Sequence, residues 1–231
     1  MKRFYKQVTV AEAEGGFGVC LDGRAIKTVS RNPQTVPTRA LADVMAAEWD
    51  AQGDEIDPAS FLFRDMADYA IDVVCPDRAA AVESLLPYAA TDTLCYRAEP
   101  DEAFAARQRE GWEPLLTAAE SRLGVKFVRV AGVMHKPQAP ETLERLRAEL
   151  SQLDAFALAA LRNTASLAAS LVIGLAAITP GADIDALWNA ANLEEDWQAE
   201  LWGKDWQALE LRELRAGAFA AAARFAALAR G

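Results

Sequence analysis

At 231 residues the chain can bury one large core or two modest ones, and its 52% hydrophobic, 25% charged composition is that of an ordinary globular protein. A formal net charge of −10 speaks against nucleic acid or an anionic membrane as partner, because both call for basic surfaces. Cys20, Cys75 and Cys95 have no CxxC spacing and an odd number cannot all pair, so reduced thiols in a reducing compartment are expected.

The chain opens with β-forming residues. Phe4 to Val10 is aromatic and β-branched and reads as a strand, with no apolar leader before it. Gly15-Gly16 is a turn, Phe17 to Leu21 a second strand, Asp22-Gly23 a hairpin turn and Arg24 to Val29 a third strand. Asn32-Pro33 and Val36-Pro37 end this meander. From Thr38, an expected N-cap, the period becomes helical. Leu41, Val44, Met45 and Trp49 trace one face and Gly53 closes the helix. Trp49 is expected to pack this helix onto the sheet. A second helix is predicted from about Ser60 to Val74.

Pro76 breaks the chain, and the domain boundary is placed there. Residues 1–76 form an N-terminal α+β domain and residues 77–231 a larger, mainly helical C-terminal domain. Asp77 caps the next helix, which Pro87 should kink or stop. Asp101 to Leu123 is a helix with a kink at Pro114. Lys126 to Val130 is a short strand-like exception, and Pro140 to Leu150 is helical. Asp154 to Ile178 is one long apolar helix, or two pieces meeting near Asn163-Thr164. Its apolar run is shorter than the ~20 residues that a membrane span needs, so no membrane insertion is expected. Ser166, Ser170 and Gly174 form a stripe of small residues that would let another backbone approach, making this the axis of a helical bundle. A central helix begins at Asp183, and the last runs from Asp205 toward Arg230.

The stretch from Leu193 to Asp205 concentrates the informative residues. Leu193, Trp197 and Leu201 recur at four-residue spacing as an apolar face, with Trp197 in the core. Glu194, Gln198 and Trp202 form an adjoining ridge of acid, amide and indole, and Gly203 beside Lys204 ends the helix. Such a ridge suits protein recognition, since aromatic anchors beside fixed charges carry much interface energy. The blander reading is a solvated acidic face over core tryptophans.

Motifs for catalysis are sparse. The lone His135, on a Gly- and Pro-flanked segment, reads as surface or structural, and zinc would need more His/Cys ligands. Glu194, Glu195 and Asp196 lack the Glu-x-x-His pairs of a di-metal bundle. Gly15-Gly16-Phe17-Gly18 is followed by a strand rather than a helix, so it reads as a hairpin turn and not a nucleotide loop. Ser166 and Ser170 are outside any G-x-S-x-G elbow, and the cysteines read as small core residues.

Six segments in order resemble the assembly chaperones of the ATP synthase catalytic sector, the ATP-twelve family. They are Arg3 to Lys6 with Leu21 to Thr28; Glu48 to Gln52 with Ile56-Asp57-Pro58; Tyr88 to Arg97; Arg107-Gln108; Trp112 to Leu116; and Leu193 to Asp205. The chain departs from the family pattern at Val29, where proline is expected, and at Ala118, where tryptophan is. Ala169 stands for a glycine and Glu194 for an aspartate. The resemblance implies an α+β protein without catalysis, cofactor or nucleotide that binds the free alpha subunit until the beta subunit displaces it. It implies partner contacts at Glu194, Glu195, Gln198 and Trp202. The lack of an apolar leader fits a bacterial cytoplasmic location, or the mitochondrial matrix for a processed eukaryotic form. A competing reading is a helical-bundle enzyme acting on a small molecule through Glu194, Glu195 and Asp196, with a cleft at the domain junction. A third is a binding module for an unrelated partner.

Overall fold

The architecture is α+β, as the sequence predicts. A computed structural model of the protein describes residues 1–132, 134, 136–203 and 206–231. β1 (Val8–Ala13) and β2 (Gly16–Leu21) pair antiparallel, with Val8 opposite Leu21. The other edge of β2 is shared by β3 (Arg24–Ala25) and β4 (Thr35–Val36). Gly16 is required where β4 crosses, because a Cβ there would lie 2.1 Å from the Val36 carbonyl oxygen.

Two strand expectations are corrected. The first strand begins at Val8 rather than Phe4, because the Lys6 and Gln7 amides donate to the Asp22 carboxylate (3.0 and 2.8 Å) instead of to a strand. The third is only two residues long. Past it the chain hangs on Asp72, which accepts from the Thr28 hydroxyl (2.7 Å), the Ser30 amide (3.0 Å) and the Asn32 side chain (2.8 Å).

α1 (Arg39–Asp50) is capped by Thr38, whose hydroxyl accepts from Leu41 N (3.1 Å), and it ends at Ala51, two residues before Gly53. Trp49 packs between Tyr5 and Phe61, with ring centroids 5.6 and 4.6 Å away. α2 (Leu62–Tyr69) starts where the Glu48 carboxylate accepts the Phe63 and Arg64 amides (2.7 and 2.9 Å), then widens into a π turn over Ala70–Val74. α3 (Arg78–Ala90) is capped by Asp77 and runs three residues past Pro87.

β5 (Tyr96–Arg97) precedes α4 (Ala103–Leu123), which contains Pro114, and pairs in parallel with β6 (Val130–Ala131). The strand expected over Lys126–Val130 is thus confined to its end. Before it, Phe127 N bonds the Glu120 carboxylate and Val128 N the Gln138 side chain, both at 2.8 Å.

The helical part is built on α5 (Pro140–Leu150), α6 (Ala155–Ala168) and α7 (Leu171–Ala177). The apolar helix is two pieces, but the break falls at Ala169 rather than near Asn163-Thr164. Thr164 keeps its hydroxyl on the Ala160 carbonyl (3.2 Å), so the helix continues past it. Ser170 caps α7 through Ile173 N (3.1 Å) and lies on neither helix, so the small-residue stripe is not continuous. Gly174 does permit close approach, because a Cβ there would lie 2.9 Å from Ala165 Cβ.

Ala169 adopts φ 48° and ψ 33°, the left-handed conformation that glycine adopts without strain. Both the amide and the hydroxyl of Thr93 donate to its carbonyl (3.2 and 2.9 Å). Ala169→Gly is expected to raise stability by about 0.5–1 kcal/mol in a denaturant melt. A loss of stability would show that the backbone at Ala169 is not strained.

The expected single central helix is also divided, into α8 (Ile184–Ala191) and α9 (Leu193–Trp202) at Asn192, whose side chain donates back to the Trp188 carbonyl (2.8 Å). α10 (Trp206–Arg230) closes the chain. Its second half packs on α6 and α2, with Phe225 between Phe156 (6.1 Å) and Phe63 (6.4 Å). Thr38 Oγ1 donates to the Leu228 carbonyl (2.6 Å), and one hydrophobic cluster runs from the sheet through α6 to α10. Among the described residues no helix is long and apolar enough to cross a membrane.

Asp92 is fully buried where these elements meet, accepting Leu94 N and Val172 N at 3.0 Å each. Burial outweighs these bonds and pushes its carboxyl up to about 6. The folded state therefore binds the proton more tightly than the unfolded chain does between pH 4 and 6, so this group's stabilisation is present at low pH and is lost as pH rises through 6. The stability of the wild type relative to Asp92→Asn should fall across that window by about 3 kcal/mol and be flat above pH 7. A difference constant from pH 4 to 7 would refute the assignment.

Candidate partner-binding surface

α9 is held on two sides. Toward α4, Trp197 stacks on Phe104 (5.6 Å) under the Arg107 guanidinium (5.4 Å from its ring), and Arg107 reaches both oxygens of Glu200 (2.5 and 3.0 Å). Toward α10, Asp196 pairs with Arg212 at 2.7 Å and Glu195 with Arg215 at 3.6 Å. The Trp112 indole donates to the Ala190 carbonyl (2.7 Å) and ties α8 to α4.

The third side is exposed among the described residues. Glu194, Gln198, Leu201 and Trp202 lie on it, with Gln198 donating to Glu194 at 3.5 Å. Trp202 is 79% exposed and Leu201 57%. All four proposed contact residues therefore sit on or beside one solvent face, but they are not equivalent. Glu195 is also engaged by Arg215, and Asp196 belongs to the helix-to-helix junction.

The expected apolar face of α9 is two-thirds right. Leu193 and Trp197 are half-buried, but Leu201 points outward. A four-residue step overshoots a 3.6-residue turn by about 40°, so the third member has rotated off the buried stripe. Gly203 ends the helix at φ 93°. Lys204 and Asp205, like His135, lie outside the described residues.

Sequence reasoning missed the first half of α10. Trp206 is 76% exposed, Leu211 57% and Leu214 68%, so α10 also carries exposed apolar side chains. The available signal was Trp206, Glu210 and Leu214 at four-residue spacing, out of phase with the fully buried Phe219.

Elsewhere two carboxyl groups with raised pKa hold backbone or side-chain amides. Burial raises the carboxyl pKa of Glu48 and of Asp68; Glu48 caps α2 and Asp68 accepts the Gln34 amide. Cys20 and Cys95 are buried, and burial pushes the Cys95 thiol up to about 12. Cys75 is exposed at the end of the π turn, contrary to the expectation of three core thiols. A groove of about 620 Å³ between α4, α7 and α8 is walled by Gly111, Pro114, Val172 and Leu187, and Glu48, Asp68 and Asp92 are not among its walls.

A family model described as ATP12 chaperone protein matches residues 2–120. The mitochondrial protein atp12 of Schizosaccharomyces pombe is 28% identical over 184 residues, which are 74% of this chain and 63% of that protein. The match thus spans less than two thirds of that relative's length. The crystal structure of Atp12 from Paracoccus denitrificans superimposes with a TM-score of 0.91 at 38% identity, covering 99% of this chain and 98% of that one. A chaperone candidate from Agrobacterium tumefaciens superimposes with a TM-score of 0.92 at 40% identity, covering 98% of this chain and 85% of the other.

Proposed function

The chain belongs to the ATP12 chaperone protein family, a family of ATP synthase assembly chaperones, and from that premise we propose that it holds the free alpha subunit of the catalytic sector until assembly with beta. The observation that carries this reading is the free side of α9, where Leu201 and Trp202 stand exposed beside Glu194 and Gln198. Its own fold does not cover this apolar surface, and an indole next to fixed charge is the composition of an interface anchor.

A subunit of an obligate ring hides contacts of roughly 2,000 Å² or more, and alone that surface aggregates. A stoichiometric holder lowers the concentration of the aggregating species by mass action. In this scheme Glu194 and Glu195 face basic groups of the partner, and Gln198 and Trp202 fill the contact between them. Beta releases the holder by competing for an overlapping surface of alpha, with no nucleotide, metal or chemical step. The reduced thiols suit a bacterial cytoplasm or a mitochondrial matrix. The division into residues 1–76 and 77–231 is likewise a proposal, tested by expressing the two parts separately.

The deciding experiment is co-purification with separately expressed alpha and beta subunits without nucleotide. Retention of alpha and not beta, lost on adding beta, is the expected result. Failure to retain either subunit would overturn the proposal.

A further inference from the structure

The charge of this chain is unevenly distributed. Residues 1–37 carry six lysines and arginines against three carboxylates, in a protein whose net charge is −10. Arg3 is paired with Asp50 (3.5 Å), which leaves Arg24 and Lys27 as the exposed cations beside β3, well separated in sequence from the acidic α9. A pocket of about 570 Å³ opens there, walled by Phe4, Tyr5, Arg24, Ile26, Lys27 and Trp49, among others.

Three features of its wall point to an acceptor-bearing ligand. The Arg24 and Lys27 side chains are exposed and make no ion pair or hydrogen bond among the described residues. Trp49 is 8% exposed, and its indole N–H, closed off from solvent, has no acceptor among the described residues. A buried donor left unmatched is costly, and an acceptor brought beside it removes that cost. The one carboxylate in the wall, Asp22, accepts the Lys6 and Gln7 amides and is attracted by Arg24, but forms no ion pair with Arg24 or Lys27 among the described residues. At the rim, Phe4 is 64% exposed, an apolar surface that a chain segment could cover and an inorganic anion could not.

We propose that the pocket between the N-terminal segment, β3 and Trp49 is a second recognition site, which takes a carboxylate-bearing, acidic segment of a protein partner. Arg24 and Lys27 receive the carboxylates, the Trp49 indole lies next to the acceptor, and Phe4 covers the neighbouring side chain. Partner binding at the acidic α9 face and at this basic pocket would then read opposite charges at two places. This enforces one orientation of the bound subunit. The two-site orientation rests on the function proposed above, whereas the pocket's preference for acidic peptide does not.

The test uses the full chain and a capped peptide of eight residues alternating Glu and Phe, with acetate and a Lys/Phe peptide as controls. The Trp49 indole resonance is followed by nitrogen–proton NMR. The acidic peptide should shift it saturably, the controls should not, and raising salt should weaken the response. The double variant Arg24→Glu/Lys27→Glu should lose at least about tenfold in affinity with an unchanged circular dichroism spectrum, because both substitutions are on exposed positions. No shift at millimolar peptide, an equal shift with acetate, or undiminished binding by the double variant would each overturn the proposal. Because no ATP synthase subunit enters this assay, its failure is distinguishable from failure of the alpha-subunit reading.

Discussion

Trp202→Ala is expected to weaken capture of the alpha subunit by about thirtyfold while leaving the melting temperature within about 2 °C of the wild type. The side chain is 79% exposed, so its truncation removes little that holds the fold. A central aromatic anchor in an interface contributes about 2 kcal/mol or more, and that is the source of the predicted loss. The measurement is a titration of alpha onto the immobilised chain, alongside a thermal melt. Unchanged affinity would remove α9 from the interface.

Charge reversals sharpen the result because the two glutamates differ in their surroundings. Among the described residues Glu194 bonds only to Gln198, so Glu194→Lys places a new charge on the exposed face with little internal consequence. Glu195→Lys faces Arg215, which now pairs with Glu195 at 3.6 Å. That variant loosens the contact of α9 with α10 as well as repelling a basic partner. A loss of binding in Glu194→Lys equal to that in Glu195→Lys would place the effect in the partner contact itself.

Phe225→Ala should be the most destabilising single truncation considered, by about 3–5 kcal/mol, or a fall in melting temperature on the order of 10 °C. Phe225 is fully buried and its ring touches Phe156 of α6 and Phe63 of α2, so one cavity opens against both the helical part and the element that follows the sheet. Below its new melting temperature the variant should still bind alpha with nearly wild-type affinity, because α9 touches this cluster through Leu193 while Gln198, Leu201 and Trp202 stand exposed away from it. Loss of binding in the still-folded variant would show that the core transmits to α9, and would break the separation between core and contact surface drawn here.

Much of the architecture was legible from local chemistry. Thr38, Asp77, Asp154 and Asp183 each accept the amide three residues ahead, so capping chemistry marked four helix starts, whereas the fifth cap of this kind, Ser170, was read as helix interior. Several residues that carry the family resemblance hold backbone rather than partner: Glu48 caps α2, Asp92 ties α7 to the turn before β5, Gln108 accepts the Ala98 amide, and Trp112 donates to α8. Ordered motifs of this kind identified the family because each satisfies a fixed polar group in one fold. Ala169, which stands where the family resemblance expects glycine, lies at the helix break that periodicity placed near Asn163-Thr164.

What the chain's own pattern could not reveal depended on distant partners. The third strand stops after Ala25 because Asp72, more than forty residues away, takes the hydrogen bonds of the following loop. The strand at Val130–Ala131 exists only because Tyr96 and Arg97 lie beside it. Likewise, the sequence marks Glu194, Glu195, Gln198 and Trp202 as a polar and aromatic ridge, but not which of them is free. Arg215 comes to Glu195 and Arg212 to Asp196 by the folding of α10 against α9, whereas Leu201 and Trp202 on another side of α9 stay exposed. Side-chain type and helical spacing are properties of a single segment. Exposure and pairing are properties of two segments brought together, and are set when the core around Phe219 and Phe225 closes.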